Sequence, residues 1–334
     1  MPNIKVMHFG LGPIGAAIVK QVAARPGFKI VGAIDIDSAK VGRDLGDVVG
    51  LTKRLGAKVS ADAAKALKAA KPDVVILCTT SSIKEVMPQI EAILKAKIPI
   101  VSTTEELSYP GYTHIRQARL VHAMAKKAKV AVLATGVNPG FAMDALPIAL
   151  TAVCERVDRI VVHRVQDARI RRLPFQQKIG AGLTTEQFQK KADNGSVRHV
   201  GLTESIAMIA DAMGWTLDRI TDEIQPKLAT VTISSEYLAV DPGYVAGIIQ
   251  DGIGYRKNEP VIKLHMEAYL GSPETYDSVD IEGSPNLSMK ISGGIHGDVA
   301  TASIVVNSIQ KVMQATPGLH TMRDLPLPSF FPGR

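Results

Sequence analysis

The hexapeptide Gly10-Leu11-Gly12-Pro13-Ile14-Gly15 constrains this chain more than any other segment, because of what flanks it. The apolar run 4–9 before it reads as a buried strand. The segment 14–24 (IGAAIVKQVAA) after it reads as a helix, stopped by Arg25-Pro26-Gly27. A second strand, 29–35, ends on Asp35, 20 residues after Gly15. Strand, glycine turn, helix, strand and terminal acid together make a dinucleotide-binding pattern. Gly10 permits the tight turn, Gly12 lets the backbone approach a pyrophosphate, and Gly15 lets the helix pack close to the strand. Pro13 and Ile14 open the helix, whose free N–H groups and positive dipole end attract phosphate. Asp35 accepts from a ribose diol, which favours NAD. Lys40 and Arg43 in the following loop suit the 2′-phosphate of NADP, so both cofactors stay open with NAD ahead. The competing reading is a plain glycine turn with a surface aspartate.

The first 140 residues go on alternating between short apolar runs and helical periods. Strands are expected at 58–59, 74–78, 99–102 and 130–134, with helices at 61–70, 83–96 and 112–127. Such alternation implies a doubly wound parallel sheet, a Rossmann-type α/β domain over residues 1–140. The texture then changes. Helices are expected at 141–154, 183–192, 202–214 and 299–315, and strands at 159–168, 229–238 and 261–270. Their polar alternation predicts a second, α+β domain over 141–300 with a mainly antiparallel sheet, for substrate binding and dimerisation. Residues 301–334 are expected to form a helix and an irregular arm packing back toward the first domain.

Composition excludes several classes. With 46% hydrophobic and 21% charged residues in 334, the chain is not disordered. Two cysteines rule out a disulfide scaffold and a cysteine-built zinc site. A net charge of +7 is spread out, with its densest cluster at Arg169, Arg171 and Arg172, and this argues against nucleic acid as partner. No run reaches the length of a membrane span, and the N-terminus has no signal-peptide pattern, so a cytoplasmic protein is expected. Neither H-E-x-x-H nor a carboxylate cluster is present, so no metal is expected.

Chemistry is expected at the C-terminal ends of the first-domain strands. Cys78, Thr79 and Thr80 end one strand and line the cofactor crevice; alternatively, Ser82 and Glu85 have the spacing of a helix capping box there. Thr103, Thr104, Glu105 and Glu106 end the next. Two carboxylates beside an anionic cofactor suit a cationic substrate or proton transfer at an amine; the alternative is a pair of solvated residues at a helix start. Gly136-Val137-Asn138-Pro139-Gly140-Phe141 follows another strand. Asn138 can bond a nicotinamide amide or the substrate, with Phe141 as a wall, or the segment is simply a turn. Arg164 and Gln166 share one strand face, and His163 faces the other way. Arg164 can clamp a carboxylate. His265 and Glu267 share a face of a later strand.

The segments GLGPIG, CTTSS, VSTTEELSYPG, GVNPGF, KIGAGL, VGLTES, GGIHGDVATASIVVN and PGLHTMRDLP together resemble the 2,4-diaminopentanoate dehydrogenase family and its NAD(P)-dependent amine dehydrogenase relatives. The resemblance spans residues 4 to 328. Its N-terminal half is also similar to dihydrodipicolinate reductase and homoserine dehydrogenase at the level of fold. The family resemblance implies oxidative deamination of a primary amine to a ketone, with release of ammonia, and reductive amination in reverse. It implies a catalytic carboxylate at Glu105, with Glu106 as second choice. It also implies Asn138, Arg164, Gln166 and His265 around the substrate, and a homodimer through the second-domain sheet. Gln166 departs from the Asn of some relatives, so a diamino acid substrate does not follow. Three alternatives remain: a cyclic-imine reductase, whose His-His-x-x-Lys segment is not found; a homoserine dehydrogenase-type enzyme, which favours Lys at position 105; and a non-catalytic dinucleotide sensor.

Overall fold

The computed structural model describes residues 3–332. The chain divides into two compact units, one made of residues up to 141 together with those from 296 onward, the other of 142–295.

In the first unit the alternation yields β1 (Ile4–Phe9), α1 (Pro13–Ala23), β2 (Phe28–Ile34), a single turn α2 (Leu45–Val48), β3 (Val59–Ser60), α3 (Ala63–Ala70), β4 (Val74–Leu77), α4 (Ile83–Lys95), β5 (Ile100–Ser102), α5 (Ile115–Ala128) and β6 (Ala131–Ala134). The strands β1 to β6 are parallel, as single-helix crossovers require, and with β15 (Gly318–His320) the sheet order is β15-β6-β5-β4-β1-β2-β3. One face is covered by α3, α4 and α5, whose Leu67, Ile83, Val86, Ile90, Val121 and Ala125 pack on Met7, Phe9, Val75 and Leu77. The other face receives α1 and α10 (Gly297–Gln314). Gln21 Nε2 of α1 donates to Ser303 Oγ of α10 (3.1 Å), and Arg25, just past the end of α1, donates to Asn307 Oδ1 of α10 (2.7 Å). The seventh strand, β15 (Gly318–His320), adds parallel to β6. It has too few residues to show a period, and pairing alone makes it a strand.

His8 alternates with Met7 and Phe9, so its ring enters the α1/α10 side of the sheet. It is fully buried, and neither ring nitrogen has a hydrogen-bond partner among the described residues. Burial in apolar surroundings pushes its pKa down to about 3.

The second unit contains α6 (Ala145–Leu150), β7 (Arg156–Asp167), α7 (Leu173–Lys178), α8 (Thr185–Asp193), α9 (Leu202–Ala212), β8 (Arg219–Leu228), β9 (Ile233–Ser234), β10 (Ala239–Val240), β11 (Val245–Arg256), β12 (Glu259–Tyr269), β13 (Tyr276–Ser284) and β14 (Leu287–Ser292). Six strands form one sheet in the order β14-β13-β7-β12-β11-β8, antiparallel except for β7 beside β12. The expected mainly antiparallel sheet is therefore present, though several of its strands differ from expectation. The helix expected at 141–154 begins only at Ala145, where Asp144 caps it by accepting from the Ala145 amide (2.5 Å). The strand expected at 229–238 is almost all loop; the long strand lies just before it, as β8. Glycines at 252 and 254 interrupt the pattern of β11 because a Cβ at either would lie within 3.0 Å of Ile206 on α9.

Candidate functional site

The glycine loop is built by close backbone approaches. Gly10 has φ +95°, and a Cβ there would lie 2.3 Å from the Cys78 carbonyl oxygen. A Cβ on Gly15 would lie 2.1 Å from the Gly10 oxygen. Only glycine fits at either position. Gly12 is different: a Cβ there meets nothing within 4 Å. Gly12 is also the N-cap of α1 and makes no side-chain cap, while Pro13 supplies the first turn. The first-turn amides of α1 therefore receive no side-chain cap from Gly12, which fits a pyrophosphate.

Asp35 leaves the end of β2 and fixes this loop. Its carboxylate accepts from the Leu11 amide (2.8 Å) and the Asp37 amide (2.9 Å), with Lys40 Nζ at 3.4 Å. A carboxylate offers about four acceptor positions, so capacity remains for a ribose hydroxyl. Ile36, immediately after it, is 88% exposed and presents a bare apolar side chain beside that acceptor. Across the loop, burial pushes the Cys78 thiol up to about 12, with Thr103 as hydrogen-bond partner. Cys78 is therefore a neutral wall and not a nucleophile.

Two neighbouring loops follow β4 and β5. Thr79 donates to Gln89 (2.6 Å) and Thr80 to Glu85 (2.6 Å). The Ser82–Glu85 capping box does not form, because Glu85 is taken by Thr80 and Ser82 makes no side-chain cap. After β5, Ser102 Oγ donates to the Leu77 carbonyl (3.0 Å) and Thr104 bonds Ser102, both hydroxyls fully buried. A short 3-10 turn, Glu105–Leu107, stands on this base. Leu107 is buried in the core, and the Ser108 amide and hydroxyl both donate to the Glu105 carbonyl (3.1 and 2.7 Å). Glu106 turns toward α4 and accepts from the Ile83 amide (2.8 Å). Glu105 is half-buried on the same turn.

After β6 the chain breaks sharply. Asn138 is buried, the Asn138–Pro139 peptide is cis, and Gly140 has φ +127° with the Gly136 nitrogen 2.5 Å from its notional Cβ. Thr301 of α10 accepts from the Val137 amide (3.2 Å). Phe141 is partly exposed.

In the second unit, Arg164 and Gln166 do lie together. Arg164 donates to Asp277 (2.6 Å) and to the Ile295 carbonyl (2.8 Å); Gln166 donates to the same carbonyl (3.2 Å) and accepts from Arg171 (2.9 Å). Asp277 closes the ring by accepting from the Ile295 amide (2.6 Å). Burial pulls the Arg164 guanidinium down from its ordinary value, and Asp277 opposes that shift. His265 is elsewhere. It sits directly opposite His163 in the β7–β12 register, one position out of phase with Arg164, so it faces away from the Arg164–Gln166 pair. Its ring lies between Asp251 and Glu267 (2.9 Å each), edge-on to His163. Sequence reading missed Asp277, Arg171, Thr301 and the Ile295 backbone. Their contacts cross 5 to 164 positions, and no local pattern signals them.

Among the described residues no group of three His, Cys, Asp or Glu is placed to hold a metal, and no helix is long and apolar enough to cross a membrane.

Comparison with known proteins agrees with these features. Residues 141–333 match the model of the 2,4-diaminopentanoate dehydrogenase C-terminal domain, and residues 4–136 match that of the dihydrodipicolinate reductase N-terminus. The chain is 35% identical to a 2,4-diaminopentanoate dehydrogenase of Acetoanaerobium sticklandii, over 98% of this chain and 95% of the relative. It is 25% identical to an amine dehydrogenase of Streptomyces virginiae, over 97% and 96%. Among solved structures, amine dehydrogenase from Mycobacterium smegmatis superposes with a TM-score of 0.87 at 25% identity, covering 98% of both chains. A dihydrodipicolinate reductase from Paenisporosarcina shares the fold, with a TM-score of 0.54 at 15% identity over 96% of this chain and 97% of that one.

Proposed function

We propose, because this chain belongs to the 2,4-diaminopentanoate dehydrogenase family, that Glu105 is the general base of an NAD(P)-dependent amine dehydrogenase. The reaction is reversible oxidative deamination of a primary amine to a carbonyl compound and ammonia. One observation carries the assignment: of the two adjacent carboxylates, Glu106 is committed to the Ile83 amide, and Glu105 is not part of that contact.

The glycine loop, Asp35, Cys78, Thr79, Thr80, Thr103 and Asn138 are the residues that hold the dinucleotide in this reading. When bound, the dinucleotide supplies the hydride acceptor. Glu105 does the proton chemistry. It takes a proton from the substrate ammonium, since only the neutral amine can release hydride from its carbon. Once that proton has passed to solvent, the restored carboxylate charge favours the cationic carbon–nitrogen centre that develops. The carboxylate next takes a proton from the water that adds to that carbon and passes it to the nitrogen, so that the carbon–nitrogen bond breaks, ammonia leaves, and the hydroxyl loses its proton as the carbonyl forms. In reverse it assists ammonia and protonates the departing oxygen. Asn138 and Phe141 shape the substrate's surroundings in the same unit. Arg164 and Gln166 have their polar groups engaged with protein partners, which supports a role in fixing the backbone at Ile295 rather than clamping substrate directly.

The test mixes protein with NADH, ammonium and a panel of ketones, keto acids and aldehydes, and follows absorbance. Ammonium-dependent NADH oxidation is expected. Oxidation without ammonium points instead to a hydroxy-acid or semialdehyde enzyme, and tight binding without turnover points to a sensor.

NAD is the preferred cofactor in this reading, on the strength of Asp35 and the exposed Ile36 beside it. Lys40 keeps NADP accessible. Asp35→Asn, which keeps an oxygen for the Leu11 amide, is expected to weaken NADH about tenfold, the loss of one charge-assisted hydrogen bond. NADPH affinity should hold or improve, since a like charge has gone. Fluorescence titration of both cofactors checks this, and equal losses for the two defeat the preference.

The sheet face carrying His163 and His265 is the homodimer surface in this reading. α9 covers the opposite face, whereas Val161, Ile249, Ile253 and His265 are only partly buried. Sedimentation should give twice the chain mass, and Ile253→Lys should lower it. With Cys78 and Cys154 both free thiols, the reducing cytoplasm suits the protein.

A further inference from the structure

The Glu106 side chain joins two helix starts that sequence order keeps apart. Its Oε2 accepts from the amide of Ile83, the first residue of α4, at 2.8 Å, and the same oxygen lies 3.4 Å from Nε2 of His114, the N-cap of α5. The Glu106 backbone amide donates to the Ser81 carbonyl (3.2 Å). The turn that carries Glu105 is thus latched to the loop 79–82, which lines the cofactor crevice, through both the backbone and the side chain of one residue. A carboxylate at the start of α4 also meets the positive end of that helix, where Ser82 offers no cap of its own. Nothing else described supplies the Ile83 amide, so the latch depends on this side chain.

We propose that Glu106 and His114 are positioning residues. They hold the 3-10 turn in register with the loop after β4, so that the adjacent Glu105 meets the reacting amine at a fixed place relative to the dinucleotide. The proposal rests on Glu105 being the base. Placement of this kind matters because a displacement of about 1 Å can cost about a hundredfold in rate.

Three variants of the full chain test it: Glu106→Ala, Glu106→Gln and His114→Ala. Glu106→Ala should speed hydrogen exchange at the Ile83 amide and lower kcat about tenfold to a hundredfold. Its NADH affinity, read by fluorescence, should stay within about threefold. Glu106→Gln keeps an oxygen for the Ile83 amide and should rescue both exchange and kcat to within about threefold of the parent. His114→Ala should give a smaller fall in kcat than Glu106→Ala, with the Ile83 amide still protected.

Unchanged exchange at Ile83 in Glu106→Ala overturns the latch, whatever the activity. Faster exchange with unchanged kcat overturns the positioning role. Glu106→Gln as inactive as Glu105→Gln, with its pH–rate limb lost, makes Glu106 the base itself. A parent enzyme with no ammonium-dependent turnover defeats the proposed function and, with it, the positioning role, whereas the exchange result still decides whether the latch exists.

Discussion

Glu105→Gln should fold, bind NADH within about threefold of the parent, and lose about 10²- to 10⁴-fold in kcat, the usual share of a general acid–base group. That loss corresponds to about 3 to 5 kcal/mol of transition-state stabilisation. The variant is a clean probe because the two hydrogen bonds from Ser108 go to the Glu105 backbone carbonyl and survive the change. Leu107 and the buried Ser102–Thr104 pair below the turn are also untouched. The comparison of stopped-flow turnover with equilibrium NADH binding separates chemistry from cofactor loss. Activity within tenfold of the parent removes Glu105 from the mechanism.

The second large effect is acid instability centred on His8. Its folded pKa is about 3 against 6.5 when exposed, so above pH 6.5 the ring is neutral in both states and costs nothing through protonation. Below pH 6.5 the unfolded chain binds a proton that the folded chain does not. Stability then falls by about 1.4 kcal/mol per pH unit, toward a total of about 5 kcal/mol by pH 3. His199 in the second unit is held down to about 3 by burial, reinforced by Lys178, Arg164 and Arg198, and acts in the same direction. His8→Leu should therefore flatten the decline. At pH 5 it should regain about 2 kcal/mol relative to the parent, beyond any difference at pH 8. Denaturant midpoints at the two pH values, read on a first-unit signal, provide the measurement. Parallel curves for parent and variant mean that His8 takes up its proton in the folded state.

The glycine loop and Asp35 were legible because their geometry is local. A turn, a close approach and a helix start each demand a residue type at a fixed spacing. The choice between Glu105 and Glu106 was not legible. It depends on which carboxylate reaches the Ile83 amide 23 positions earlier, a distance that no period encodes. The second sheet was legible in class but not in detail. In β8, every second residue from Arg219 to Lys227 is polar, and Asp222 and Pro226 break the apolar alternation on the other face. In β11 the apolar signal is diluted by glycines that make room for Ile206. His265 was readable as a strand residue, yet its separation from Arg164 required the β7–β12 register, because a shift of one residue exchanges the faces.

The return of the chain after residue 295 has a consequence for biogenesis. The segment up to residue 141 is translated before 142–295, but α10 and β15, which complete its layers, emerge only after that insertion. Until then α1 lacks the helix that packs beside it, and β6 is an edge strand open to association with other nascent chains. The intervening 142–295 segment, by contrast, has a core of its own. Ribosome-bound chains stopped before α10 should therefore be more aggregation-prone than finished ones.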